Sequence, residues 1–205
     1  PRSTLFPYTT LFRSVRRLGR PTRIFNLACG PAQEIQAFLA KNPLCEQAQL
    51  TLLDFNEETL RYLRNILDNL KHRHSRGTPI EYIKRSVHHI IKESSRSKDP
   101  ASELQYDLVY CAGLFDYLSN QVCQRLMNIM YDSVAPGGLL VATNVEPSNP
   151  MRNGMEHLLD WHLIYRTAAQ MRTLTPSRAR AEEVCVRADA TGVNVFLEVR
   201  KPDHD

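Results

Sequence analysis

No apolar run in this 205-residue chain approaches the roughly 20 residues a membrane-spanning helix needs. No Cys-x-x-Cys pair occurs. The five cysteines (Cys29, Cys45, Cys111, Cys123 and Cys185) are odd in number, and several sit in apolar runs. That pattern argues against a disulfide framework or a zinc site and for a reducing, cytoplasmic compartment. Acidic residues are missing from residues 1–23, which hold six arginines. An acid-free, Arg-rich start has the composition of an organelle transit peptide. There is no initiating Met, however, and TLFPYTTLFRS (4–14) matches a sequencing adapter translated in frame. Residues 1–14 are therefore expected to be a non-native scar, with 15–205 a single, N-terminally truncated domain. Removing them takes away Arg2 and Arg13 and no acid, which halves the formal charge of +4. So small an excess gives no electrostatic footprint for nucleic acid or a membrane surface. The whole chain, 42% hydrophobic and 23% charged, has the composition of an ordinary globular domain.

Strands and helices alternate along the chain. Arg23–Ala28 reads as a buried strand, followed by the small-residue turn Cys29-Gly30-Pro31-Ala32 and a helix carrying Ile35, Phe38 and Leu39. Gln49–Leu53 is a second strand closed by Asp54. Asn56 is placed to cap a helix with Leu60, Leu63, Leu67 and Leu70 on one face. Ile80–Lys84 is a weaker strand, Val87–Ile91 a helical turn, and 92–103 a polar segment that serves either as a lid or as a solvated connection. Tyr106–Cys111 is the fourth strand. A helix over Asn120–Val134 then leads through the turn Pro136-Gly137-Gly138 into a fifth strand, Leu139–Val145. Met151–Met171 is expected to be mostly helical, and Val184–Arg187 and Asn194–Arg200 close the sheet. Such alternation implies an α/β fold with a mostly parallel sheet covered on both faces.

In sheets of this kind a ligand lies beyond the carboxyl ends of the strands, where strand order reverses. Residues 28–34, Asp54, Ser86 and 111–114 fall on that rim. The turn has little side-chain bulk, so a ligand can lie against its backbone and face the N–H groups of the next helix. Asp54 has two oxygens for the vicinal hydroxyls of a ribose, and Phe55 is placed to pack on an adenine. Two plainer readings stand beside these: Asp54 as a helix cap, and the turn as simple close packing of strand and helix. A nicotinamide-binding Gly-x-Gly-x-x-Gly fits poorly, because the three positions hold Ala28, Gly30 and Gln33.

FNLACGPA, Asp54, YDLVYCAGLFDYL, APGGLLVATNV and the closing strand pair together resemble a class I S-adenosylmethionine-dependent methyltransferase over about 23–200. The resemblance implies a Rossmann-like, seven-stranded sheet with one antiparallel closing strand. It also implies S-adenosyl-L-methionine as cofactor, held by Ala28, Cys29, Gly30, Pro31, Glu34, Asp54, Phe55, Asn56, Ser86, Val87, Cys111, Ala112, Gly113 and Leu114. Three positions depart from the motif. Asn26 stands for the usual acid, and Ala28 and Ala32 for two glycines, which implies a slightly tighter turn. With Asn26 neutral, Glu34 is left to answer the methionine amino group. LACGPAQE, YCAGLFDYLS and NPMRNGMEHLLDWHLIYRT are similar to bacterial extracellular-factor 3-hydroxypalmitic acid methyl ester biosynthesis proteins. That resemblance implies methylation of a hydroxy fatty acid's carboxylate.

A carboxylate acceptor is ionised at pH 7 and needs no general base, and the sequence shows no compelling one. Acceptor-side candidates are Tyr117, Asn144, Asn149, Arg152, His157, Trp161, His162, Tyr165 and Arg166. On a continuous helix His157, Trp161 and Tyr165 share a face, and an arginine there pairs a carboxylate in a fork. The alternative is that Trp161 and Leu158 pack on the sheet and both arginines are solvated. His88-His89 and His72-x-His74 lack metal-ligand spacing and read as surface histidines. The partner expected is a small-molecule methyl acceptor. Two other classes remain open: a non-catalytic S-adenosylmethionine-binding regulator, and a nicotinamide enzyme, against which the missing Tyr-x-x-x-Lys pair argues.

Overall fold

In the computed structural model, residues 14–15, 20–94 and 105–203 are described. The expectation for residues 1–14 lies almost wholly outside them. β1 (Thr22–Leu27) leads into α1 (Gln33–Lys41), whose buried Ile35, Phe38 and Leu39 follow the sequence periodicity. Asn42 turns extended before Pro43, as a residue preceding proline must, and α1 stops there. β2 (Ala48–Asp54) is followed by α2 (Glu57–His74). The Asn56 side chain accepts the N–H groups of Glu58 and Thr59, and Leu60, Leu63 and Leu67 are buried. Lys71, His72, Arg73 and His74 lie in the last turn of α2, where the helix dipole favours cations.

β3 (Ile80–Lys84), α3 (Val87–Ser94), β4 (Tyr106–Cys111), α4 (Asn120–Asp132), β5 (Val134–Val145), α5 (Arg152–Leu158), α6 (Ala168–Arg172), β6 (Val184–Ala188) and β7 (Asn194–Arg200) complete the fold. The seven strands form one sheet in the order β3-β2-β1-β4-β5-β7-β6. β1 to β5 are mutually parallel, and β7 runs antiparallel to both β5 and β6. All six residues of β4 are buried, as expected for a central parallel strand. Alternate side chains feed two cores. One packs Ile24, Leu50, Leu52, Leu108 and Tyr110 against α1 and α2. The other packs Leu27, Val109, Leu140 and Leu197 against α4 and Met171 of α6. Strand order reverses between β1 and β4, which fixes the crevice at their carboxyl ends. Among the described residues no helix is long and apolar enough to cross a membrane.

Four elements differ from the sequence expectation. α4 stops at Asp132, because Val134 pairs with Tyr106 and already belongs to β5. Pro136-Gly137-Gly138 lies inside that strand as a bulge, and the register jumps from Tyr106↔Val134 to Leu108↔Leu139. A Cβ on Gly138 would stand 2.7 Å from Val134 Cγ1 and 2.8 Å from the Ala135 carbonyl, so no larger residue fits. α3 extends through Ser94, and the rest of the polar segment lies outside the described residues. Met151–Met171 is not one helix. α5 ends at Leu158, Asp160 turns left-handed (φ 48°), and 159–167 runs without regular structure to the capping box of Thr167 and Gln170.

Candidate functional site

Between β1 and α1 the backbone is left-handed at Ala28 (φ 56°), Gly30 (φ 51°) and Ala32 (φ 42°). The two alanines are not a tighter turn. They hold the backbone in a conformation that glycine adopts freely and that costs an L-residue about 1–2 kcal/mol. A Cβ on Gly30 would meet nothing within 4 Å, so open space lies directly over the turn. Ala28 is only partly buried. Ala28→Gly should therefore leave stability unchanged or raise it by up to about 1 kcal/mol, where alanine-to-glycine changes usually cost about that much. Urea unfolding checks this, and a loss of about 1 kcal/mol would contradict it.

Asp54, 6% exposed, closes β2 beneath this turn. Its Oδ2 accepts the Gly30 N–H at 3.0 Å and its Oδ1 the Asn56 N–H at 2.9 Å. Each oxygen keeps a lone pair for a further donor. Asp54 is thus a clamp on the turn and not the cap of α2. That cap is Asn56, whose side-chain oxygen is committed to it. Phe55, 67% exposed, stands beside the crevice with its ring free.

The facing wall comes from β4. Gly113 (φ 87°) donates its N–H to Thr143 Oγ1 at 3.2 Å, and its missing Cβ also faces open space. Cys111 is buried in the second core, so its side chain is not open to a ligand. Burial pushes its thiol pKa far up. The Cys29 thiol is pushed up to about 12, first by burial and then by the Asp54 and Glu34 carboxylates. Neither is a thiolate nucleophile at neutral pH. Ser86 Oγ accepts the His89 N–H and lies 3.0 Å from His89 Nδ1, so its hydroxyl is engaged at the start of α3. Val87 packs against the second core. Glu34, in the first turn of α1, receives Asn26 Nδ2 (3.2 Å) and the Tyr110 hydroxyl (2.8 Å) on Oε1.

On the acceptor side the sequence list divides. Arg166 is 2% exposed. Its Nε donates to Asn120 Oδ1 (2.8 Å), its Nη1 to the Phe115 carbonyl (2.7 Å) and Asn144 Oδ1 (2.6 Å), and its Nη2 to the Leu118 carbonyl (2.6 Å). It is neither solvated nor open to a substrate. Asn144, fully buried, donates to the carbonyls of Val145 and Ile164 and belongs to the same network. Asn149 accepts the Met151 N–H and shapes the entry to α5. Because α5 ends at Leu158, His157, Trp161 and Tyr165 do not share a helical face. His157 and His162 are exposed, and His162 pairs with Asp160 at 3.0 Å. Arg152 pairs with Glu156 (3.0 Å) and stacks over Tyr165, 4.4 Å from its ring centre. Trp161, 46% exposed, donates its indole N–H to the Tyr117 hydroxyl at 2.8 Å. Met151, Leu158, Leu159 and Ile164, on the segment after β5, are exposed as well.

Sequence reasoning missed Asp116. It is buried, accepts the Val145 N–H on Oδ1 (2.7 Å), and its carbonyl takes the Ile164 N–H (2.7 Å). It thereby ties the turn after β4 to the end of β5 and to the 159–167 segment. An acid inside an apolar YCAGLFDYL run was its one sequence signal. Elsewhere, a groove of about 260 Å³ is lined by Arg23, Gln49, Thr51, Pro79, Glu81 and Tyr106. It sits at the amino-terminal ends of β1 to β4, away from the rim.

No protein-family model matches the chain, and no curated protein matches it. Its fold does match solved structures. A possible exported protein from Bordetella parapertussis superposes with a TM-score of 0.64 at 19% identity, covering 96% of this chain and 67% of that one. The S-adenosylmethionine-dependent methyltransferase SibL gives 0.64 at 17%, covering 96% and 54%. Human N-acetylserotonin methyltransferase, in complex with S-adenosylmethionine, gives 0.61 at 17%, covering 95% and 50%. The chain therefore spans about half the length of these two methyltransferases. Its seven-stranded sheet, parallel except for the antiparallel β7, is the Rossmann-like fold of S-adenosylmethionine-dependent methyltransferases.

Proposed function

We propose that the protein transfers a methyl group from S-adenosylmethionine to an oxygen of a small-molecule acceptor, the carboxylate of an apolar molecule such as a 3-hydroxy fatty acid. One observation carries the cofactor reading. At the reversal of strand order, Asp54 stands beneath a turn whose Gly30 opens into empty space, and Gly113 opens likewise from the other wall. Asp54 has the acceptor capacity for a ribose, Phe55 an exposed ring for a base, and the start of α1 presents backbone N–H groups. The cofactor supplies a methyl group already activated on a sulfonium. The protein's part is to bind, orient and exclude water.

The acceptor reading rests on the exposed, hydrogen-bonded rings of Tyr117 and Trp161, on the segments after β4 and β5. With Arg166 sequestered, Arg152 is the guanidinium of that pair left near the rim, partly exposed and held by Glu156. A carboxylate nucleophile arrives ionised, so the site has only to align it.

The test is a thermal-shift titration with S-adenosylmethionine, S-adenosylhomocysteine and NADH, followed by an assay for methyl esters of 3-hydroxy fatty acids. A ligand that binds only the folded state stabilises it by about 2.7 kcal/mol at a hundred times its Kd. The two adenosyl ligands are expected to raise the melting temperature and NADH to leave it unchanged. A shift with NADH alone overturns the cofactor reading. Binding without ester formation overturns the acceptor reading.

A further inference from the structure

Both halves of the crevice depend on the turn after β4. Gly113 stands in the wall that faces the Asp54 side, and Tyr117 accepts the indole N–H of Trp161. Between them is Asp116, in the single 3-10 turn Phe115–Tyr117. Two hydrogen bonds of opposite sense stitch this turn to the last residues of β5. The Gly113 N–H donates to Thr143 Oγ1 (3.2 Å), and the Val145 N–H donates to Asp116 Oδ1 (2.7 Å). The Asp116 carbonyl also accepts the Ile164 N–H at 2.7 Å, and the Val145 carbonyl accepts the Arg166 N–H at 3.1 Å. The segment 159–167, which has no regular structure of its own, is thus positioned by contacts with this turn and with the end of β5. The four acceptors of the Arg166 guanidinium are all uncharged, and no carboxylate of the described residues is in ion-pair contact with it. Asp116 has no ion-pair partner among them either. Burial pushes its pKa up, and the Val145 N–H and the Arg166 charge oppose that. A buried carboxyl is a costly way to satisfy one N–H, so fold stability alone does not account for it.

We infer that Asp116 is a positioning residue for methyl transfer: by fixing the turn after β4 to the end of β5, it sets the spacing between the cofactor wall at Gly113 and the acceptor-side segment that carries Trp161. This role presupposes the function proposed above and deepens it. Asp116 acts through Val145 and through the turn, without touching either ligand. The requirement is geometric, because transfer falls steeply when the reacting atoms are misplaced by about 1 Å. The turn transmits position because it closes on itself. The Tyr117 N–H donates to the Leu114 carbonyl (3.0 Å) and the Leu118 N–H to the Phe115 carbonyl (3.2 Å). A ligand lodged against residues 112–114 is therefore felt at Trp161.

Trp161 is the only tryptophan in the sequence, so its fluorescence reports on this segment without a label. The experiment titrates S-adenosylhomocysteine into the protein and follows binding by calorimetry and by Trp161 emission. In the wild type the emission is expected to change and to saturate with the calorimetric Kd. Asp116→Ala should lose most of that change while its Kd stays within about tenfold of wild type. Asp116→Asn keeps an oxygen for the Val145 N–H and should restore the change, which separates the hydrogen bond from the charge. Binding without an emission change in the wild type overturns the inference. A full change in Asp116→Ala also overturns it, because Trp161 would then sense the ligand directly. Loss of the change in Asp116→Asn overturns it as well, and that comparison with wild type decides the matter even if Asp116→Ala does not fold. Wild-type protein that does not bind S-adenosylhomocysteine overturns the cofactor reading itself, which is a distinguishable result.

Discussion

Arg166→Ala is expected to lower the melting temperature by about 6–20 °C, from a loss of about 3–5 kcal/mol. The reason is the number of acceptors that depend on one guanidinium. Removing it leaves the side-chain oxygens of Asn120 and Asn144 without a donor, Asn144 where water does not reach, and strips the charged donor from the carbonyls of Phe115 and Leu118, which keep only the Leu118 N–H and the Cys123 thiol. A buried group stripped of its partner forfeits its full desolvation cost, well beyond the modest net value of the bond. Arg166→Lys should recover less than half of the loss, since a point charge cannot serve four acceptors spread around a planar fork. Thermal melts of the three proteins decide the matter. A wild-type melting temperature in Arg166→Ala, with only the acceptor KM changed, would return Arg166 to the substrate.

Asp54→Ala is expected to act twice. Without ligand it should cost about 1–3 kcal/mol, because the N–H groups of Gly30 and Asn56 lose their shared acceptor and the turn loosens. In binding it should weaken S-adenosylhomocysteine and 5′-methylthioadenosine alike, by about 10- to 100-fold, since both contain the ribose. Calorimetry with both, alongside urea unfolding of the free protein, reads the two effects independently. Undiminished binding in Asp54→Ala would reduce Asp54 to its structural clamp.

The parts of the site that were legible from the sequence are those in which a residue's role is set within a few positions. Asn56 caps the helix it precedes, Asp54 ends the strand it follows, and the spacing of Leu60, Leu63 and Leu67 is the buried face of α2. The small residues at 28–32 mark a turn because bulk is excluded there, although their left-handed backbone shows only in three dimensions. Where local pattern failed, a distant partner had overruled it. The run Met151–Met171 has helix-forming residues, yet the chain leaves α5 at Leu158. Its continuation is pinned by bonds from the Ile164 N–H to Asp116, from Asn144 to the Ile164 carbonyl, and from Arg166 across the turn after β4. The same network explains why two of the acceptor-side candidates, Asn144 and Arg166, became interior supports, leaving Tyr117, Trp161 and Arg152 at the surface.

Periodicity and turn composition by themselves determined the alternation of strands and helices, the parallel sheet, and the rim on which Gly30, Asp54 and Gly113 lie. Those features follow from interactions between residues close in the chain, and a hydrophobic pattern records them directly. Tertiary structure alone decided that Arg166 is a buried brace, that Glu34 meets Asn26 and Tyr110, and that β7 enters between β5 and β6. Each depends on groups that meet across the sheet, such as Tyr110 and Glu34, separated by 76 positions. No local pattern encodes such a meeting, because it is set by the packing of whole elements.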